Sequence, residues 1–121
     1  MKILLVDDDS FLRDMYATKF GEEGYDVVVA KSGTEALTVL RDEKDVDIVM
    51  LDMIMPGMSG IELLETLAEE PLDPKPKCIV LSNQSESEEI DEAMRAGAVG
   101  YIIKAEMIPS DVVDEVKKLI G

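Results

Sequence analysis

Five short apolar runs recur along the chain, and they constrain its fold more than any other feature of the sequence. The runs are continuous rather than alternating, as is typical of parallel strands covered on both faces. They are ILLV (3–6), VVVA (27–30), IVML (48–51), CIVL (78–81) and YII (101–103). Amphipathic segments with helical spacing lie between them. The pattern predicts an α/β fold of five strand–helix units, (βα)5, with helices on both faces of one parallel sheet.

The sequence also indicates where helices begin and which faces they pack. Ser32, Ser59 and Ser85 are each followed by a glutamate three residues later, which is the spacing of a capping box. The residues expected on the packed faces of the first and last helices are Phe11, Leu12, Met15, Tyr16 and Phe20, and Val112, Val113, Val116, Leu119 and Ile120. The proline-rich segment 69–77 is interpreted as a stiff loop and not as a domain linker. Residues 1–121 are therefore predicted to form a single domain.

The composition argues against several classes of partner. Twelve basic and 27 acidic residues give a net charge of −15, so nucleic acids and anionic membrane surfaces would be repelled. No apolar run approaches the ~20 residues of a membrane span, and no signal-peptide pattern is found. The single cysteine, Cys78, lies in an apolar run and is interpreted as a buried, reduced thiol of a cytoplasmic protein.

Carboxylates follow two of the predicted strands. Asp7, Asp8 and Asp9 come after the first strand, and Asp52 comes after the third. In a doubly wound sheet of order 2-1-3-4-5 these strands are neighbours, and a site is expected at their carboxyl ends. Two unit charges about 4 Å apart repel by about 4 kcal/mol at an effective dielectric constant of 20, so a proton or a cation must neutralise the group. An oxygen site with open positions suits Mg²⁺. The alternative for this triplet is a helix N-cap, which Asp9 or Ser10 is expected to supply.

A hydroxyl and an ammonium are predicted at the same edge of the sheet. Ser82 follows the fourth strand and Lys104 follows the fifth. Taken alone, Ser82 would be interpreted as a helix cap and Lys104 as a solvated lysine. Together with the acids they make a site for a phosphoryl group, which Asp52 would attack as a carboxylate nucleophile. The metal, Ser82 and Lys104 would neutralise the phosphoryl oxygens.

The sequence resembles the CheY-like receiver domains of two-component response regulators. The resemblance runs from Lys2 to the last residue. The motifs that carry it, taken together and in this order, are specific for the family. They are LLVDD (4–8), MLDMIMPGMSG (50–60), Ser82, Tyr101 and Lys104. The resemblance implies a flavodoxin-like fold and a phosphoryl group that passes from a histidine kinase to Asp52.

The resemblance also implies roles for the individual site residues. Ser82 and Tyr101 would form a switch pair, in which the hydroxyl moves onto the phosphate and the aromatic ring turns inward. Mg²⁺, for which Mn²⁺ can substitute, would be the cofactor. Its implied ligands are Asp8, Asp52 and the backbone carbonyl of Ile54, with Asp7 acting largely through water.

The expected partners follow from the same resemblance. A histidine kinase or phosphotransfer protein would donate the phosphoryl group, and a downstream protein would read it through the fourth helix, fifth strand and fifth helix. Ile90, Met94 and Val112 are candidates for that surface but are interpreted as core. The chain is expected to be a cytoplasmic monomer or weak phosphorylation-dependent dimer, without an effector domain. It is not expected to be an enzyme beyond catalysing its own phosphorylation and dephosphorylation.

A few positions depart from the family pattern. Ala105 replaces the usual proline after Lys104, and a cis bond to a non-proline residue costs about 2.5–4 kcal/mol, so a trans bond is predicted. Asn83 stands where a small residue is usual, and its bulk is expected to restrict access to the phosphoryl group. Ile54 and Gln84 border the approach of water in this family. Ile54 is expected to slow hydrolysis because it cannot orient a water molecule.

Three alternatives share parts of this pattern. A haloacid-dehalogenase-type phosphatase uses an aspartate nucleophile with Mg²⁺, but it needs a second acid two residues later, where this chain has Ile54. A flavodoxin-like nucleotide or flavin binder needs a loop of backbone donors after the first strand, where this chain has DDDS. The serious alternative is a phosphate-independent module of the same fold, a pseudo-receiver. The intact set of site residues argues against it.

Overall fold

The computed structural model describes residues 1–120, in which five strands alternate with five helices. The strands are β1 (Lys2–Val6), β2 (Asp26–Ala30), β3 (Ile48–Leu51), β4 (Lys77–Ser82) and β5 (Gly100–Ile103). The helices are α1 (Ser10–Glu22), α2 (Gly33–Asp42), α3 (Gly60–Glu69), α4 (Ser87–Arg95) and α5 (Pro109–Ile120), and a short 3-10 helix spans Lys104–Glu106. Every predicted apolar run is therefore a strand. No helix in this part of the chain is long and apolar enough to cross a bilayer.

The five strands form one parallel sheet in the order β2-β1-β3-β4-β5, as predicted. Val6 at the end of β1 pairs with Ala30 of β2 and with Leu51 of β3. The amide of Asp52 donates to the carbonyl of Val6 at 3.2 Å. The register therefore places the residues that follow β1 and β3 side by side, at the point where the strand order reverses.

Two apolar layers cover the sheet, one on each face. The layer under α2, α3 and α4 takes Leu4 and Val49 from the central strands, and the layer under α1 and α5 takes Ile3 and Ile48. Successive residues of a strand point to opposite faces, so a strand that serves two layers must be apolar throughout. This double coverage is the physical reason why the strands appear in the sequence as continuous apolar runs.

Two of the three predicted capping signals act as helix caps. The hydroxyl of Ser59 accepts from the amide of Glu62 at 3.2 Å, and the amide of Ser59 donates to the Glu62 carboxylate at 3.4 Å. This is a complete capping box. The hydroxyl of Ser32 accepts from the amide of Glu35 at 3.1 Å and caps α2. Local sequence thus determines where α2 and α3 begin.

The third capping prediction was wrong. Helix α4 begins one residue too late for Ser85 to be its cap, and its actual N-cap, Glu86, makes no side-chain capping bond. The segment before α4 is held instead through Gln84, whose amide donates to the Ser82 hydroxyl and whose carbonyl accepts from the Tyr101 hydroxyl. Contacts with the neighbouring strand therefore replace a local cap at this helix.

The apolar faces of the helices were mostly predicted, with two errors. Phe11 is 75% exposed, because the buried side of α1 runs through Tyr16 and Phe20 and leaves Phe11 beside it. Of the candidate readout residues, Val112 is fully buried, whereas Met94 is 43% exposed and is not core. Met94 lies on α4, a helix that buries only one of its residues, so much of the surface of this helix faces solvent.

Two further predictions were confirmed. The peptide bond between Lys104 and Ala105 is trans. Cys78 is a free, buried cysteine, and burial raises the pKa of its thiol to about 11. A thiol in such surroundings stays protonated at neutral pH and is a poor nucleophile.

Candidate functional site

Three carboxylates meet where the chain leaves β1 and β3. Oxygens of Asp7, Asp8 and Asp52 all lie within 4.8 Å of one another. Asp7 is buried, Asp52 is partly buried and Asp8 is exposed. The donor set is all oxygen and one side opens to solvent, which fits a hard cation such as Mg²⁺ that keeps some of its water.

Lys104 compensates part of this negative charge. Its Nζ donates to Asp7 Oδ2 at 3.0 Å and to Asp52 Oδ2 at 2.9 Å, and its side chain is 8% exposed. Burial alone would lower the pKa of Lys104, but the two carboxylates outweigh that effect and raise this pKa above its ordinary value. Asp8 makes no ion pair within residues 1–120. One ammonium therefore serves two of the three carboxylates and leaves the third unpaired.

The loop that carries Asp52 is fixed by backbone contacts with α3. A Cβ atom added at Gly60 would overlap the carbonyl oxygen of Asp52 and lie 2.7 Å from the Cα of Met53. The amide of Gly60 also donates to the Met53 carbonyl at 2.9 Å. Gly57, in the same loop, has a φ of +80°, a conformation that favours glycine. The Asp52 Oδ1 atom accepts from the amide of Ile54 at 3.3 Å.

Ser82 is the last residue of β4, Tyr101 lies on the neighbouring strand β5, and the two are linked through Gln84. Ser82 is 1% exposed, and its hydroxyl accepts from the Gln84 amide at 3.2 Å. The Tyr101 hydroxyl donates to the Gln84 carbonyl at 2.7 Å, and burial raises the pKa of this half-buried phenol. With its side-chain amide oriented to satisfy hydrogen bonding, Gln84 also donates to Glu89 of α4. The role of Gln84 as a link was not predicted, because it depends largely on main-chain atoms.

Helix α1 supplies two site neighbours that sequence reasoning missed. Arg13 donates from Nη1 to the carbonyl of Asp7 at 2.9 Å. Tyr16, 5% exposed, lines a small cavity behind Asp7 and Asp52, and burial raises the pKa of its phenol. Their position in the sequence could have indicated this, because both residues lie in the first two turns of the helix that follows Asp7. Asp9 caps this helix as expected, accepting from the amide of Leu12 at 3.1 Å.

The structure thus brings together most of the predicted site. Asp7, Asp8, Asp52 and Lys104 form one cluster at the carboxyl edge of the sheet. Within the part of the chain that the structure describes, the Ser82 hydroxyl makes no hydrogen bond to this cluster and accepts from the Gln84 amide. Met50 of β3 and two methionines of the following loop, Met53 and Met55, are buried.

Comparisons with known proteins agree with this geometry. The family model of the response regulator receiver domain matches residues 3–117. Over 119 residues the chain is 34% identical to sporulation initiation phosphotransferase F of Bacillus subtilis, covering 98% of this chain and 93% of that protein. Over 103 residues it is 34% identical to the DNA-binding response regulator MtrA of Mycobacterium tuberculosis, covering 85% of this chain. The chain spans 43% of the length of that MtrA protein.

A solved structure shares the whole architecture. The chemotaxis protein CheY4 of Vibrio cholerae has a TM-score of 0.90 with 25% sequence identity, covering 98% of this chain and 97% of that one. The match extends over all five strand–helix units and so includes the carboxyl edge where the carboxylates meet. This chain belongs to the response regulator receiver domain family.

Proposed function

We propose that this chain is a phosphoacceptor receiver, which takes a phosphoryl group onto Asp52 from a histidine kinase or phosphotransfer protein. The observation that carries the proposal is the Lys104 ammonium, shared between Asp7 and Asp52 within a cluster of three carboxylates. Asp52 is the acceptor because it is more exposed than Asp7 and lies in a loop with a fixed backbone. Asp8 remains unpaired and available to a cation.

In the transfer step, a carboxylate oxygen of Asp52 attacks the phosphorus of a phosphohistidine. The new P–O bond forms as the P–N bond breaks, and the electron pair leaves with the imidazole. Lys104, already directed at Asp52, neutralises charge on the phosphoryl oxygens. Mg²⁺, held by Asp8 and Asp52 with Asp7 nearby and the Ile54 carbonyl as a further ligand, would supply additional neutralisation when bound.

The switch would act through Gln84. Before phosphorylation the Ser82 hydroxyl accepts from the Gln84 amide. A phosphoryl group on Asp52 would attract this hydroxyl away from Gln84. When that hydrogen bond is lost, the segment that also holds the Tyr101 hydroxyl is released. The Tyr101 ring is then free to turn inward, and Glu89 on α4 loses the position of its Gln84 partner.

The surface around the site suits a protein donor. Phe11 is 75% exposed, Ile54 63% and Ile108 62%, which makes them prominent among the exposed large apolar residues. They lie just beyond the carboxyl ends of β1, β3 and β5, in the segments that surround the site. Apolar side chains around a charged site support docking of a partner protein rather than reaction with small phosphodonors alone.

The remaining parts of the proposal follow the family. The chain would act in the cytoplasm, and its chemistry would be limited to its own phosphorylation and dephosphorylation. A phosphate-independent module of the same fold remains the alternative, and the presence of Asp52 and Lys104 in hydrogen-bond contact favours the phosphoacceptor.

Intact mass spectrometry after incubation with Mg²⁺ and acetyl phosphate, quenched in acid, tests the proposal. One added phosphoryl group is expected, absent in Asp52→Ala and on addition of a chelator. Asp14→Ala, an exposed aspartate of α1 outside the cluster, is the matched control and should be labelled normally. Failure to form the adduct even at short times would favour the phosphate-independent module.

A further inference from the structure

A larger cavity lies at the opposite edge of the sheet from Asp52. It opens where α3 and α4 end and β4 begins, and its volume is about 220 Å³. Protein interiors are close-packed, so a space of this size is unusual in a small domain. An apolar cavity of about 150 Å³ binds benzene, so this one has room for a hydrocarbon of similar or somewhat larger size.

The inner wall of the cavity is apolar. Leu64 and Leu67 of α3 and Cys78 of β4 line it, and all three are buried. The thiol of Cys78 stays uncharged at neutral pH, because burial raises its pKa to about 11. Among the residues that line the cavity, Lys75 is the one with a charged side chain. The inner wall therefore suits a hydrocarbon chain.

The entrance of the cavity is open because small residues border it. Gly97 follows the C-cap of α4 and has a φ of +117°, a conformation that favours glycine. A Cβ atom added at Gly97 would meet no other atom within 4 Å. Ala68 of α3, which also lines the cavity, is exposed. A small molecule can therefore reach the inner wall from solvent.

Lys75 places a positive charge at this entrance. Its Nζ donates to the carbonyl of Ala68, near the C-terminal end of α3. Lys75 makes no ion pair within residues 1–120, whereas the nearby Glu70 is paired with Arg41. An ammonium carries further N–H donors beyond the one that Ala68 accepts. Lys75 can therefore receive an anion without giving up its contact with α3.

We propose that this cavity binds a small aliphatic carboxylate, of about the length of hexanoate. Its hydrocarbon chain would pack against Leu64, Leu67 and Cys78, and its carboxylate would pair with Lys75. The net charge of −15 does not prevent this, because exposed charges farther away than about 8 Å are largely screened at physiological ionic strength. The inference goes beyond the proposed function and does not depend on it, since no residue of the phosphoacceptor site lines this cavity.

A ligand in the cavity would join two helices. It would contact Leu67 of α3 and also Ala96, the C-cap of α4. Of the nine residues of α4 only Ala93 is buried, so a contact at the end of this helix adds appreciably to its anchoring. Hydrogen exchange of the α4 amides should therefore slow when hexanoate is bound, if these amides exchange by local opening.

Titration of the chain with butanoate and hexanoate at constant ionic strength, followed by amide NMR, tests the inference. Saturable shifts should concentrate in residues 64–68, 75–78 and 96–97. Each added methylene should tighten binding about fourfold, because it is buried against the apolar wall. Hexan-1-ol, which has the same chain but no charge, should bind about threefold more weakly than hexanoate.

Three variants separate the contributions of charge and space. Lys75→Gln keeps a donor for the Ala68 carbonyl and should weaken hexanoate about threefold, with hexan-1-ol unchanged. Lys118→Gln makes the same charge change on α5, which packs on the other face of the sheet, and should weaken hexanoate less than about 1.5-fold. Ala68→Leu places a larger side chain in the cavity at an exposed helix position, and should weaken both ligands at least about tenfold.

Four outcomes would overturn the inference. They are the absence of saturable shifts in the lining residues, equal binding of hexanoate and hexan-1-ol, equal weakening by Lys75→Gln and Lys118→Gln, and a dimer in sedimentation velocity that Ala68→Leu abolishes. The last would assign the cavity to a side chain of a second copy. Labelling with acetyl phosphate, measured on the same samples, keeps the two proposals apart. Loss of labelling with normal hexanoate binding refutes only the proposed function, and normal labelling without hexanoate binding refutes only this inference.

Discussion

Replacing Asp8 by asparagine should stabilise the fold when no divalent cation is present. Asp8 shares a cluster with Asp7 and Asp52 in which the carboxylate oxygens lie within 4.8 Å of one another. Lys104 donates to both neighbours but not to Asp8. The charge of Asp8 is thus repelled without a compensating contact, and asparagine removes that charge while nearly preserving the shape of the side chain.

The size of the effect follows from the geometry. At the 4.8 Å limit of the cluster, two unit charges repel by about 3.5 kcal/mol at an effective dielectric constant of 20, and by about 0.9 kcal/mol in water. Asp8 is exposed and the nearby ammonium offsets part of the negative charge, so the effect lies near the aqueous limit. We expect the free energy of unfolding to rise by about 1 kcal/mol and Tm by about 4 °C.

Urea unfolding in a chelator and in millimolar Mg²⁺ measures the effect. The unsubstituted chain should gain stability with Mg²⁺ concentration, because a ligand that binds only the native state stabilises it. Asp8→Asn should gain much less, since it lacks one of the carboxylates proposed to hold the ion. Asp14→Asn is the matched control, because Asp14 is exposed on α1 and outside the cluster. Its free energy of unfolding should change by less than about 0.5 kcal/mol.

Three results would refute the reasoning. Asp8→Asn could prove less stable than the unsubstituted chain in chelator, which would mean that its carboxylate makes a favourable contact. Asp14→Asn could reproduce the stabilisation, which would assign the effect to net charge rather than to the cluster. Equal stabilisation of both Asp8→Asn and the unsubstituted chain by Mg²⁺ would remove Asp8 from the metal site.

Other substitutions test the remaining parts of the structure. Ile54→Asn should shorten the lifetime of the aspartyl phosphate, because an amide can orient a water molecule and an isoleucine cannot; an unchanged decay after removal of acetyl phosphate would contradict this. Ser59→Ala should lower the free energy of unfolding by about 1 kcal/mol, because it removes the cap of α3. Ser85→Ala, at a serine that caps no helix, should change it by less than about 0.5 kcal/mol, and similar losses at both serines in urea unfolding would argue against the assigned caps. Cys78 has a pKa raised from 9.0 to about 11, so above pH 9 its thiol ionises in the unfolded chain but stays protonated in the fold. Between pH 9 and about pH 11 the free energy of unfolding should therefore fall by up to about 1.4 kcal/mol per pH unit. Cys78→Val should lack this contribution, and identical pH profiles for the two proteins would contradict the prediction.

The sheet and the carboxylate cluster could be predicted because each follows from strand positions. A strand covered on both faces must be apolar throughout, so the five runs marked the strands directly. Once the strand order was known, the residues after β1 and β3 had to emerge side by side, which placed Asp7 and Asp52 together. Lys104 could be assigned to the same edge, but its two hydrogen bonds required coordinates.

The features that escaped prediction depend on contacts rather than on residue patterns. The Gln84 link uses a main-chain carbonyl and the position of the Tyr101 ring, neither of which has a sequence signature. Helix α4 begins without a side-chain cap, so the spacing of Ser85 and Glu88 placed its first residue one position too early. Phe11 has the spacing of a packed residue, but it lies outside the buried side of α1.

The contact between Gly60 and the Asp52 loop has a mechanical consequence. On that side Asp52 rests against a stiff support, because α3 is capped and its backbone leaves no room for even one added carbon atom. Helix α4 packs beside α3 on the same face of the sheet, and local fluctuations can open it at a much smaller free energy because so little of it is buried. Of these two helices, α4 is therefore the one that yields more easily when the loop of Asp52 is displaced.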